Sequence, residues 1–335
     1  MGAIWITRGV IVRQTSEMIG YKAGLALTRE EFDDIMPKDF RELWLGDDED
    51  LLRIRSEEYD GLIAELLYKL GNISSPDILP NVTLSKKYMK TSSYTLYADI
   101  LKGWTEFLRK WMNQNKKSVN KEIDPSSFLK NVITKHGLPG LEMAMEIIDT
   151  MMIQQHISPY SSVRSVEWTD TTELASLFKS RSLETQYGAF FDQRFIDYLG
   201  QNFNRISDIH WRKFEGLTCE FFERHGYYVE IGPGSNDGGI DARAWLKDPN
   251  SDGPPAILIQ CKRRKDMVES GVVKALYADV IHENASRGLI VTSSRLSPSA
   301  DEVRIARGYP VDQVDRSTLK KWIEVMRTPG TGIFM

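Results

Sequence analysis

The chain has 335 residues, more than one hydrophobic core commonly organises, so two domains are expected. Hydrophobic residues at 41% and charged residues at 27% are globular proportions that exclude a disordered or fibrous chain. A net charge of −4 excludes a polyanion partner held by bulk charge, and over residues 205–335 the balance is 19 Lys plus Arg against 18 Asp plus Glu, so an electropositive surface has to come from arrangement.

The first twenty residues begin apolar, but Arg8, Arg13 and Gln14 break the run and no small-residue cleavage site follows, so no signal peptide is expected. No apolar stretch reaches the roughly 20 residues of a membrane-crossing helix. The two cysteines, Cys219 and Cys261, lack CxxC spacing, which argues against a zinc site or a secreted disulfide framework and makes the cytoplasm the expected compartment.

Residues 28–155 read as mostly helical. Thr28 and Glu31 have capping-box spacing, and Leu62, Ile63, Leu66, Leu67 and Leu70 recur at three and four. Tyr94–Trp111 predicts an amphipathic helix, and the Met-rich run at 141–155 reads either as core filler or as an adaptable interface. Residues 1–157 are therefore expected to form a mainly helical domain. A segment rich in Ser and Thr begins at Ser158, and residues 158–190 are taken as a connecting segment.

From Phe191 the pattern alternates. Helices are predicted at 191–203 and 209–225, the second stopped by Gly226. Strands follow at 227–231, 240–245 and 256–262, then a helix at 270–284, a strand at 288–292, a helix at 297–307 with Ser297 as cap and Pro298 in its first turn, and a helix at 317–326. Residues 191–335 thus read as an α/β domain.

Strand periodicity of two puts Gln260 and Lys262 on one face of the third strand and Ile257, Ile259 and Cys261 on the other. Asp241 follows a glycine-rich turn that lets backbone approach a ligand, so the three polar groups converge at strand ends. Asp237, flanking the double glycine, reads as a turn residue. On the preceding helix Glu215 lies beside Phe214, Leu217 and Thr218 and is expected to point inward, whereas Glu220 shares a side with Lys213, Glu223 and Arg224 that reads as solvated. Carboxylates and carbonyl oxygens suit Mg²⁺, which binds substrate phosphates through few protein ligands; the Cys261 carbonyl would complete such a shell. A lysine there would orient the attacking water and offset phosphorane charge. Arg263, Arg264 and Lys265 are candidates for contacting substrate phosphates, a solvated charge run being the bland alternative. His225 and His282 have no partner at metal-ligand spacing, and the glycine-rich turn lacks the Gly-Lys-Ser/Thr ending of a phosphate-cradling loop.

The successive motifs FEGLTCEFFERHGY, GPGSNDGGIDARAW, ILIQCKRRK and GLIVTSSRLSPSADEVRIARGYPV resemble the Mrr-type catalytic domain of restriction endonucleases, within the PD-(D/E)xK nuclease superfamily, over about the last 125 residues. The resemblance implies a restriction-endonuclease-like core with a mixed central sheet flanked by helices. It also implies Mg²⁺-dependent phosphodiester hydrolysis, with Mn²⁺ as a substitute: Glu215 as helix acid, Asp241 as metal acid, Gln260 in the third motif position and Lys262 as catalytic lysine. Gln260 departs from the superfamily's commoner acid, in the Q-x-K form usual for this branch. Double-stranded DNA is the implied substrate, a homo-oligomer (dimer or higher) the implied assembly, and prokaryotic restriction or antiphage defence the implied role. The helical domain would then be sensor, dimeriser or dock for a partner protein. A junction-resolvase-like nuclease and a catalytically silent DNA-binding or assembly module are the rival expectations.

Overall fold

The computed structural model describes residues 3–114, 123–161, 168–234, 239–246 and 253–327. The described residues divide into two compact units, one from 3–68 and 72–171, the other from 69–71 and 172–327.

The first unit carries β1 (Ala3–Thr7), α1 (Arg8–Ala23), β2 (Leu25–Ala26), α2 (Arg29–Ile35), α3 (Arg41–Trp44), β3 (Leu51–Arg55), α4 (Ser56–Lys69), α5 (Pro80–Met89), α6 (Tyr94–Gln114) and α7 (Ser126–Ile157). The capping box at Thr28 and Glu31 forms, each satisfying a backbone N–H at the start of α2. β1 and β3 pair antiparallel from Ala3 opposite Arg55 to Thr7 opposite Leu51, a ribbon missing from the helical reading of 28–155. The spacing in α4 buries Leu62, Ile63, Leu66 and Leu67. α6 and α7 share a cluster in which Trp104 stacks on Phe107 and tilts against Phe128. α7 kinks at Gly137, whose positive φ of 66° suits glycine, ahead of Pro139. Its methionines divide between core and surface: Met143 is buried and Met145 exposed. Fully buried Lys22 donates to the carbonyls of His156 and Ser158, and burial lowers its pKa to about 8.

The second unit adds β4 (Thr172–Glu173), α8 (Ala175–Lys179), α9 (Gln193–Gln201), a 3₁₀ turn (Phe203–Ser207), α10 (Trp211–Arg224), β5 (Tyr228–Ile231), β6 (Ala242–Trp245), β7 (Ile257–Lys262), α11 (Ser270–His282), β8 (Arg287–Thr292), α12 (Pro298–Ala306), β9 (Val311–Val314) and α13 (Arg316–Met326). Residues 172–190, read from sequence as part of a connecting segment, lie in this unit with Leu174 and Leu177 buried. Five strands form one mixed sheet in the order β5-β6-β7-β8-β9: β5 to β7 pair antiparallel, β7 to β9 parallel. Helices cover both faces. Leu258 and Ile290 pack with Val273, Leu276, Val280 and Ala300 from α11 and α12, each of the Val, Leu and Ile side chains contributing roughly 1.5–3 kcal/mol by leaving water. On the opposite face Cys261 meets Thr218 of α10, and α10 stacks on α13 through Phe221 and Trp322, with ring centroids 3.7 Å apart. Among the described residues no helix is long and apolar enough to cross a membrane.

Candidate active site

The site forms where α10 crosses the carboxyl end of β7. His210 caps α10, its Nδ1 accepting the Arg212 N–H at 3.1 Å. One turn later Glu215, 6% exposed, comes over the sheet and accepts from Arg212 Nη1 at 2.7 Å. The next turn supplies Thr218, 3.5 Å from Cys261 Sγ, which fixes Glu215 beyond the end of the strand. Asp241 stands immediately before β6 rather than one residue into it. Its N–H donates to the Ile259 carbonyl, its own carbonyl accepts from Gly232, and its Oδ2 accepts the Cys261 N–H at 2.6 Å. The Asp241 carboxylate is thus aimed by backbone on two neighbouring strands.

A cleft of about 430 Å³ is lined by Glu215, Asp241, Cys261, Lys262, Arg263 and Arg264, with Trp211, Gly234 and Gly239. Lys262 is half-buried, and among the described residues its ammonium makes no hydrogen bond or ion pair. Gln260 lies behind this lining, 7% exposed, with Oε1 buried and unpartnered among the described residues. An amide oxygen orphaned in this way costs about 1–3 kcal/mol unless a ligand or water meets it. Gly239 belongs here for a steric reason: its φ is 96°, and a Cβ would come within 2.9 Å of Gln260 Nε2. Asp237 lies outside the described residues.

The basic run after β7 is not uniform. Arg263 Nη1 donates to the Ser207 carbonyl at 2.7 Å, holding the 3₁₀ turn. Arg264 anchors only its backbone, exchanging hydrogen bonds with Ser293 Oγ, and its guanidinium has no partner among the described residues. Lys265 is 79% exposed and 3.5 Å from Asp208.

Glu220 corrects the solvated-face reading of α10. It is 2% exposed: Oε2 accepts the N–H groups of Ala189, Phe190 and Phe191, and Oε1 accepts Arg224 Nε. Lys213 is buried too, its ammonium 5.6 Å from the centre of the Phe195 ring, and burial lowers its pKa. The cause is the chain at 183–191, which covers this side of α10 so closely that a Cβ at Gly216 would sit 2.7 Å from the Phe190 carbonyl. A glycine within a helix was the available sign of that approach. Arg212 also went unread, although its i,i+3 spacing to Glu215 on one helix was the available sign.

Burial first, and then the adjacent Asp241 carboxylate, push Glu215 up to about 7 against the pull of Arg212. Burial raises both Cys219 and Cys261 well above an ordinary thiol, so neither is a thiolate nucleophile near neutral pH. Two close, repelling carboxylates fit a divalent cation bound through oxygen, since such an ion relieves their repulsion. N–H and C=O of one strand residue point the same way, so the Cys261 carbonyl faces the Asp241 side, while the Lys262 carbonyl accepts from Thr292 on the other. No group of three or more His, Cys, Asp or Glu gathers among the described residues, which leaves two carboxylates and a carbonyl, a donor set suited to Mg²⁺ with its waters.

Residues 206–323 match the restriction endonuclease family Mrr_cat. A solved structure, "MspJI Restriction Endonuclease in Complex with 27-mer Oligonucleotide", is similar at 19% identity and a TM-score of 0.30, covering 54% of this chain and 39% of that one. The chain therefore spans well under half the length of that structure. No curated protein matches the chain.

Proposed function

We propose that this chain, with its restriction endonuclease domain at residues 206–323, is a metal-dependent endonuclease that hydrolyses phosphodiester bonds of double-stranded DNA. The observation that carries the reading is the Lys262 ammonium, without a partner among the described residues, in one cleft with the paired carboxylates of Glu215 and Asp241. Glu215, Asp241 and the Cys261 carbonyl would hold Mg²⁺ or Mn²⁺. When bound, the ion polarises the phosphoryl oxygen and lowers the pKa of water. Lys262 orients the attacking water and offsets charge growing on the phosphoryl oxygens. Gln260, through an Oε1 that has no partner among the described residues, steadies the lysine or a water. Arg212 holds the Glu215 carboxylate in place. We assign the chain to restriction or antiphage defence in the cytoplasm, as a homo-oligomer, with the first unit as sensor, dimerisation element or partner dock.

Incubation of supercoiled plasmid with the full chain and Mg²⁺ or Mn²⁺ tests this reading. Nicked and linear products that disappear with chelator are expected; plasmid untouched at every cation concentration, with DNA binding insensitive to chelator, would establish the catalytically silent module instead.

The raised Glu215 pKa sets a pH dependence. Its folded value lies above the ordinary carboxylate range, so the metal-free fold binds a proton that the unfolded chain has already lost, and stability declines as pH rises from about 4.5 to about 7. A cation must displace that proton. Thermal stabilisation by Mg²⁺ or Mn²⁺ is therefore expected to be larger at pH 8 than at pH 6 and to vanish in Asp241→Ala. Equal melting shifts at the two pH values would contradict it.

A further inference from the structure

The parallel strands β7, β8 and β9 end along one sheet edge, and each is followed by cations: Arg263 to Lys265, Arg295, and Arg316. Hydrogen bonds knit these ends together. Arg264 N–H donates to Ser293 Oγ, Ser294 Oγ donates to the Lys265 carbonyl, and the Arg316 N–H donates to the Ser294 carbonyl. Arg263 and Arg316 grip the same residue, one at the carbonyl and the other at the hydroxyl of Ser207. Beside the cleavage cleft this scaffold builds a second cavity, of about 500 Å³, lined by Arg295, Arg316, Lys320, Ser317, Asp315 and Phe203 among others.

Two cations in that cavity are spare. Arg295 is exposed, and its guanidinium has no partner among the described residues. Among the described residues Lys320 reaches only Glu324, at 3.8 Å with both side chains 56% exposed, a pairing worth little. Asp315, the carboxylate in the lining, is taken up by capping α13, where it accepts from Thr318 N–H and Ser317 Oγ. Arg316 is fixed by the Phe203 and Ser293 carbonyls and lies over the Phe203 ring. Cations left over on a rigid, hydrogen-bonded edge suit a ligand with repeated negative charge.

We propose that Arg295 and Lys320 form a second phosphate-contacting site for the duplex cut in the cleft, with Arg264 bridging the two. The inference rests on the nuclease reading. The site carries backbone-positioning contacts, which fix register on the duplex without reading sequence. Each cation that neutralises a phosphate contributes about 0.9 to the slope of log affinity against log salt.

The test is duplex binding in chelator, followed by fluorescence anisotropy across a salt series, for wild type, Arg295→Ala/Lys320→Ala, Arg295→Lys and Asp241→Ala. The alanine pair is expected to flatten the slope by about 1.8. Arg295→Lys, which keeps the charge, and Asp241→Ala are expected to hold the wild-type slope. A wild-type slope in the folded alanine pair overturns the proposal, as does a change seen on single strands but not on duplex. Should wild type cut no DNA while the alanine pair still flattens the slope, the binding edge stands and the nuclease reading falls. Should wild type cut DNA, Asp241→Ala be inactive and the alanine pair match wild type in slope, the nuclease reading stands and the binding edge falls.

Discussion

Lys262→Ala is expected to slow cleavage of duplex DNA by at least about 10²–10³-fold, the usual effect of removing one preorganised charge or donor from a transition state. Duplex binding in chelator should change far less, because one lysine among several cations supplies little of the electrostatic attraction. The expectation follows from placement. Lys262 shares a cleft with Glu215 and Asp241, and among the described residues nothing neutralises or holds its ammonium. A structural lysine at a strand end would instead pair with an acid or lie along apolar surface. Lys262→Arg is expected to restore little, since a planar guanidinium does not replace a compact ammonium beside a reacting phosphate. Single-turnover rates at saturating protein separate the effect on chemistry from any on binding, and an unchanged rate in Lys262→Ala would remove this residue from the mechanism.

The second large effect concerns stability. Glu220→Ala is expected to destabilise the second unit by about 3–5 kcal/mol, since several donors lose their acceptor at once and each one left unsatisfied costs about 1–3 kcal/mol. Here the loss leaves three backbone N–H groups at 189–191 without their acceptor and ends the pairing with Arg224, all of which Glu220 serves while only 2% exposed itself. Glu220→Gln keeps an acceptor and should cost less, since the donors retain a neutral partner. Denaturant midpoints measure both; a change within about 0.5 kcal/mol for the alanine variant would match an exposed surface site instead.

Much of the catalytic half was readable because its signals are local. Gly226 ends α10, alternation marks β7, and Ser297 with Pro298 starts α12, as the structure has them. The two-residue period also put Gln260 and Lys262 on one face and Cys261 on the other, where Cys261 meets Thr218. What escaped depends on distant chain. β9 is four residues long with Asp312 and Gln313 at its middle, and its pairing with β8 is what makes it a strand. The β1–β3 ribbon likewise exists through a pairing some fifty residues apart in sequence, Ala3 with Arg55. α10 is covered on nearly every side, so polarity alone misjudged Lys213 and Glu220, which tertiary contacts satisfy. Arg263 resembled its neighbours in sequence, and only the fold commits it to Ser207.

We propose that Glu215, Asp241 and Lys262 form one metal-dependent phosphodiesterase cleft. Cleavage and binding of the same labelled duplex, measured in parallel for wild type, Asp241→Ala and Lys262→Ala in Mg²⁺ and in chelator, test it most directly. All three proteins are expected to bind the duplex, and wild type alone is expected to cut it, in Mg²⁺ alone. Cutting by either variant at the wild-type rate, or by wild type in chelator, would contradict the claim.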